Sequence, residues 1–120
     1  MKILICDDSL MIRRQLRNSI LELGPHEVLE AGNGNMAIEM YRENKPNLVY
    51  MDIIMPELDG IGAVKGIRQF DEMAQVVMLS SVGTKENLRD ALEAGAVDFI
   101  QKPIELDVLK RTLSKFSREV

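Results

Sequence analysis

Five short, largely apolar runs recur along this sequence, each followed by a longer amphipathic stretch. That alternation constrains the fold more than any other feature. The runs are Ile3–Cys6, Val28–Ala31, Leu48–Met51, Val76–Leu79 and Val97–Ile100, and each spans four residues. Some are β-branched, and most end at acids or turn residues. Such lengths suit buried parallel strands better than helices.

The stretches between them have helical spacing. Ser9 reads as an N-cap, and Ile12, Leu16, Ile20 and Leu23 follow on one helix face until Gly24-Pro25 stops it. Asn33 caps a second helix ending near Asn44, before Pro46. Asp59 caps a third, with Ile61, Val64 and Ile67 inward. Thr84 caps a fourth, with Leu88, Ala91 and Leu92 inward and Gly95 as its stop. Leu106, Leu109, Leu113 and Phe116 mark a fifth. Five β–α units in strict alternation imply an α/β fold: a parallel sheet, helices on both faces and right-handed crossovers. Ligands of such sheets bind at the carboxyl ends of the strands.

At 120 residues the expectation is one domain over 1–120, with no output domain beside it. Fifteen Lys and Arg against nineteen Asp and Glu leave a net charge of −4, which argues against direct nucleic-acid binding. Cys6 is the only cysteine, so an internal disulfide is excluded. The apolar run in MKILICDD is too short for a signal peptide or a membrane span. The expected setting is cytoplasmic, without membrane insertion.

The predicted strand ends are polar. Asp7-Asp8 follows the first strand, Asp52 the third, Ser80-Ser81 the fourth and Lys102-Pro103 the fifth. The second leads only into the turn Gly32-Asn33-Gly34. If the first and third strands are neighbours, three carboxylates converge. Two unit charges about 5 Å apart repel by roughly 3 kcal/mol at an effective dielectric of 20. Protonation or a bound cation would relieve this. Hard oxygen ligands favour Mg²⁺, or Mn²⁺, over zinc. Such a site suits a phosphate group, with Lys102 as a point charge and the Ser80 hydroxyl as a donor. A carboxylate can attack phosphorus to give an aspartyl-phosphate, and Asp52, alone on its strand end, is the best nucleophile. A small Mg²⁺-dependent phosphatase is open on the same residues, although Ile54 stands where a second acid would serve it.

These residues resemble the receiver domain of two-component response regulators, in size closest to the stand-alone chemotaxis (CheY) type. The likeness rests on Asp7-Asp8, the run from Met51 to Gly60, Ser80 and Lys102-Pro103, in that order. It implies a flavodoxin-like (βα)5 fold with strand order 2-1-3-4-5. It further implies Asp52 as phosphoacceptor. Mg²⁺ would be held by Asp8 with Asp7 behind it, by Asp52 and by the backbone carbonyl of Ile54. Lys102 would bind the phosphoryl group, Ser80 would move toward it, and Phe99 would be an aromatic switch. The Lys102-Pro103 bond is expected to be cis. The chain would be a signalling switch, catalysing only its own phosphorylation and dephosphorylation. Its expected partners are a histidine kinase or phosphotransfer protein and a downstream target, such as a flagellar motor switch component or a phosphatase. The receiver portion of a longer DNA-binding regulator is the alternative within the family. Apolar Ile54 and Val82, two residues beyond Asp52 and Ser80, imply slow self-dephosphorylation.

Other residues take plainer expectations. Cys6 is core, His26 is a solvated loop residue, and Met11 is exposed near the site. Arg13, Arg14 and Arg17 form the solvated face of the first helix, with a kinase contact as the alternative.

Overall fold

In the computed structural model, which describes residues 1–116, a strand forms at every one of these runs. Residues 117–120, which the one-domain reading includes, lie outside the described residues. The strands are β1 (Lys2–Cys6), β2 (Glu27–Ala31), β3 (Leu48–Asp52), β4 (Val76–Ser80) and β5 (Asp98–Gln101). The helices are α1 (Leu10–Leu23), α2 (Gly34–Asn44), α3 (Gly60–Phe70), α4 (Lys85–Ala94) and α5 (Leu106–Lys115). All strand pairs are parallel, in the order β2-β1-β3-β4-β5. This is the order that the resemblance implies.

Successive side chains point to opposite faces of a strand, so the central runs feed two cores. Leu4, Val49, Met51 and Met78 pack with Ala37, Tyr41, Val64, Ile67 and Ala91 from α2, α3 and α4. Ile3, Ile5, Tyr50, Val77 and Leu79 pack on the other face with Leu16, Ile20, Leu109 and Leu113 from α1 and α5.

Four expected caps are present. Ser9, Asn33, Asp59 and Thr84 each accept a bond from the backbone N–H three residues on, at 3.3, 2.8, 2.8 and 3.1 Å. Gly95 ends α4 with φ at 115°, a conformation that favours glycine. Three details differ from expectation. β5 begins at Asp98 rather than Val97. Leu88 and Leu92 do not face inward: α4 buries Ala91 and Ala94, and both leucines are exposed. On α5, Leu106 is likewise exposed, while Leu109, Leu113 and Phe116 are buried.

Candidate functional site

The strand register brings the polar strand ends to one edge. Cys6 pairs with Met51, Asp52 with Leu79, and Ser80 with Gln101. The residue after β1 therefore adjoins the end of β3, and the residue after β5 reaches it from beyond β4. Carboxylate oxygens of Asp7, Asp8 and Asp52 lie within 4.8 Å of one another. Asp7 and Asp52 are buried and Asp8 is exposed. Lys102 Nζ lies 2.8 Å from Asp7 Oδ2 and 3.4 Å from Asp52 Oδ1. Asp7 Oδ1 also accepts from the Ser9 N–H at 2.9 Å. Both oxygens of Asp7 are thus engaged by protein donors, and the solvent-facing carboxylate is that of Asp8. The Lys102-Pro103 bond is cis.

The backbone after β3 is shaped to hold Asp52. Gly60 N–H donates to the Ile53 carbonyl at 2.7 Å. A Cβ at Gly60 would run into the Asp52 carbonyl oxygen, so only glycine lets α3 start this close to the strand end. Between them Glu57 adopts φ of 67° in the turn.

Electrostatics mark the pocket as under-neutralised. Burial raises the Asp52 pKa; Lys102 pulls it down, while the charges of Asp7 and Asp8 add to the rise. For Lys102, burial works against its charge, but the bond to Asp7 and the charges of Asp52 and Asp7 outweigh it and raise its pKa. Three carboxylates face one ammonium. An all-oxygen donor set of this kind fits a hard divalent cation. Its 4.8 Å spread is close to the roughly 4.2 Å between opposite ligands of an octahedral Mg²⁺. Cys6 sits beneath in the core, its thiol pushed up by burial, and offers no thiolate ligand.

The remaining expected residues have these places. Ser80 is buried; its Oγ donates to the Val82 carbonyl at 3.0 Å and accepts from the Val82 N–H at 3.1 Å. Phe99 is half-buried against the core on the α2–α4 face. Ile54 and Val82 leave β3 and β4 as exposed apolar side chains, at 66% and 48%. Met11 is exposed. His26 is half-buried rather than solvated, with Nδ1 3.1 Å from the Met1 amino nitrogen. Arg14 is exposed, but Arg13 does not belong to a solvated face. It donates to the Asp7 carbonyl oxygen at 2.6 Å and to Glu30 at 3.1 Å, and Arg17 donates to Glu30 at 3.2 Å. The sequence reading missed this contact, because helical spacing places Arg13 on α1 without placing β2 beside it. A groove of about 530 Å³ opens next to Lys102, lined by Ile12, Leu16, Ser81 and Ile104 among others.

Residues 3–114 match the response regulator receiver domain family. The chain is 43% identical over 114 residues to the chemotaxis protein CheY of Bacillus subtilis (strain 168), covering 95% of each. It is 39% identical over 117 residues to the CheY of Thermotoga maritima, covering 98% of each. Among solved structures, the CheX–CheY–BeF3–Mg²⁺ complex from Borrelia burgdorferi matches with a TM-score of 0.91 at 34% identity, over 98% of this chain and 90% of that one.

Proposed function

The chain belongs to the response regulator receiver domain family, and from that premise we propose that Asp52 accepts the phosphoryl group through which it signals. Its function is that of a phosphoacceptor switch rather than of a turnover enzyme. The observation that carries the assignment is the cluster itself. Carboxylates from the ends of β1 and β3 meet within 4.8 Å, and Lys102, from the end of β5, bridges Asp7 and Asp52.

In this reading an Asp52 oxygen attacks phosphorus in line. The bond from phosphorus to the donor breaks, and the donor leaves with the electron pair, as imidazole from a phosphohistidine or carboxylate from an acyl phosphate. Mg²⁺, or Mn²⁺, would offset charge on the phosphoryl oxygens. Asp8, Asp7, Asp52 and the Ile54 carbonyl are the residues to hold it. Lys102 turns its ammonium to a phosphoryl oxygen. Ser80 exchanges Val82 for the same group, and Phe99 packs further inward. The output surface is α4, β5 and α5, where Leu88 and Leu92 are exposed.

We place residues 1–120 in one receiver domain acting in the cytoplasm in chemotaxis, on the similarity to CheY proteins. A histidine kinase or phosphotransfer protein would be the donor. The target would be a motor switch component or a phosphatase; the Borrelia relative was solved with CheX. No helix among the described residues is long and apolar enough to cross a membrane.

The test is incubation with beryllofluoride or acetyl phosphate plus Mg²⁺, read by intact mass or fluoride NMR. Wild type should give one adduct and Asp52→Asn none. An undiminished adduct in the variant would remove Asp52 from the role.

A further inference from the structure

Arg13 lies beside the acidic pocket yet has no part in the chemistry above. Its guanidinium spans the ends of β1 and β2. One arm donates to the Asp7 carbonyl oxygen at 2.6 Å, and Nε donates to Glu30 Oε1 at 3.1 Å. It also lies against Gly32, where a Cβ would sit 3.5 Å from its Nη1. The side chain is 17% exposed, so the contact is no loose surface bridge.

The gripped oxygen belongs to the peptide that joins Asp7 to Asp8. A peptide is planar, so holding its oxygen fixes the plane and with it the direction in which the Asp8 Cα leaves. Asp7 is anchored in other ways too: its N–H donates to the Ala31 carbonyl at 3.1 Å, and its carboxylate bonds Ser9 and Lys102. The Asp8 side chain is exposed, so its aim depends on the peptide before it.

We propose that Arg13 is a positioning residue for divalent-cation binding, whose clamp on the Asp7–Asp8 peptide sets how Asp8 presents its carboxylate. The inference rests on the reading of the pocket as a cation site. It has a sign that electrostatics alone does not share. Deleting a nearby positive charge should tighten cation binding, whereas deleting a positioning contact should weaken it.

The test is titration of the full chain with Mn²⁺, with the free-ion EPR signal as readout, after far-UV circular dichroism has verified folding. Outer-shell contacts are worth about 10–100-fold in metal affinity, so Arg13→Met should bind about tenfold more weakly than wild type. Arg13→Lys keeps the charge but lacks the fork that reaches both Asp7 and Glu30, and it too should bind more weakly. In ¹⁵N relaxation of the metal-free protein, the Asp8 amide should fall to an order parameter below about 0.6 in Arg13→Met. Unchanged or tighter Mn²⁺ binding in Arg13→Met overturns the proposal, as does an Asp8 amide as ordered as in wild type. If Arg13→Met does not fold, Arg13→Lys decides, and wild-type affinity there overturns it. Asp8→Asn separates the two levels. If wild type and Asp8→Asn bind Mn²⁺ alike, the cation reading itself falls; if only Asp8→Asn is weakened, the role of Arg13 alone falls.

Discussion

Lys102→Met keeps an aliphatic stem and deletes the charge that joins Asp7 to Asp52. The distances, 2.8 Å to Asp7 and 3.4 Å to Asp52, correspond to gross attractions of about 6 and 5 kcal/mol at an effective dielectric of about 20. Most of that is offset, because deleting the ammonium also removes its desolvation cost. Removing one partner of a buried pair typically costs about 3–5 kcal/mol. Lys102 retains 17% side-chain exposure, so the low end applies, about 3 kcal/mol. With a urea m-value of about 2 kcal/mol/M, the midpoint should fall by about 1.5 M. The assay is urea unfolding by circular dichroism at pH 7 in chelator. Acid supplies a second readout. The Asp52 pKa, already raised mainly by burial, loses the lowering effect of Lys102 and rises further in the variant. A raised folded-state pKa contributes stability that is full below the ordinary carboxylate range and is lost as pH rises through the folded value. The variant's deficit should therefore narrow as pH falls toward that range. A loss under about 1 kcal/mol at pH 7, the worth of an exposed ion pair, would refute the reasoning, as would a deficit that does not change with pH.

Gly60→Ala should cost about 1–3 kcal/mol, because its Cβ meets backbone of Asp52 and Ile53 that cannot yield. Gly62→Ala meets chiefly the end of the Leu58 side chain and should change thermal stability little; equal losses in the two variants would defeat this account of the turn. Tyr50 bonds Thr112 at 2.7 Å in the core, and burial pushes its phenol up to about 12, with Thr112 lowering it and Asp98 raising it. That raised value contributes stability that is full below about pH 10 and is lost as pH climbs to about 12. Tyr50→Phe should cost about 1 kcal/mol at pH 8 and lose less than wild type between pH 10 and 11 in urea unfolding; parallel losses would contradict the shift. Ile54→Asn with Val82→Glu replaces two exposed apolar side chains by groups able to orient water, so loss of the Asp52 phosphoryl group should quicken; a longer lifetime by mass spectrometry would reverse this reading.

The sheet was legible because β1, β3 and β4 are covered on both faces, so their runs are nearly continuously apolar. Caps were legible because each is a local bond over three residues. At the site, the strand ends followed from topology: once β1 and β3 adjoin, Asp7, Asp8 and Asp52 must meet. Two things were not legible. On α4, Leu88 with Leu92 and Ala91 with Ala94 form adjacent stripes, and helical spacing alone does not tell which one meets the sheet. The alanines do, and the leucines are left exposed. Arg13 finds its partners across the β1–β2 pair, and Lys102 reaches Asp7 from the far side of β3 and β4, between residues far apart in sequence. Only the assembled fold shows that Lys102 sits nearer Asp7 than Asp52.

On the proposed reading, the same contacts would connect a change at Asp52 to the exposed face of α4. A bound group shifts an equilibrium only through contacts that differ between two states. In this structure the Ser80 hydroxyl is spent on Val82, bonding both its carbonyl and its N–H. That carbonyl also accepts from Asn87 Nδ2 at 3.0 Å, in the first turn of α4. If Ser80 turns to a phosphoryl oxygen, Val82 loses two bonds to the hydroxyl and keeps the one to Asn87, so the β4–α4 connection is free to move with the helix. α4 is the right element to respond. Its inward face is alanine, which gives it little buried apolar area to lose, and its leucines already lie outside. An alanine-faced helix, next to a turn held by the Ser80 hydroxyl and by Asn87, is the physical form that a switch between the acidic pocket and that surface would take.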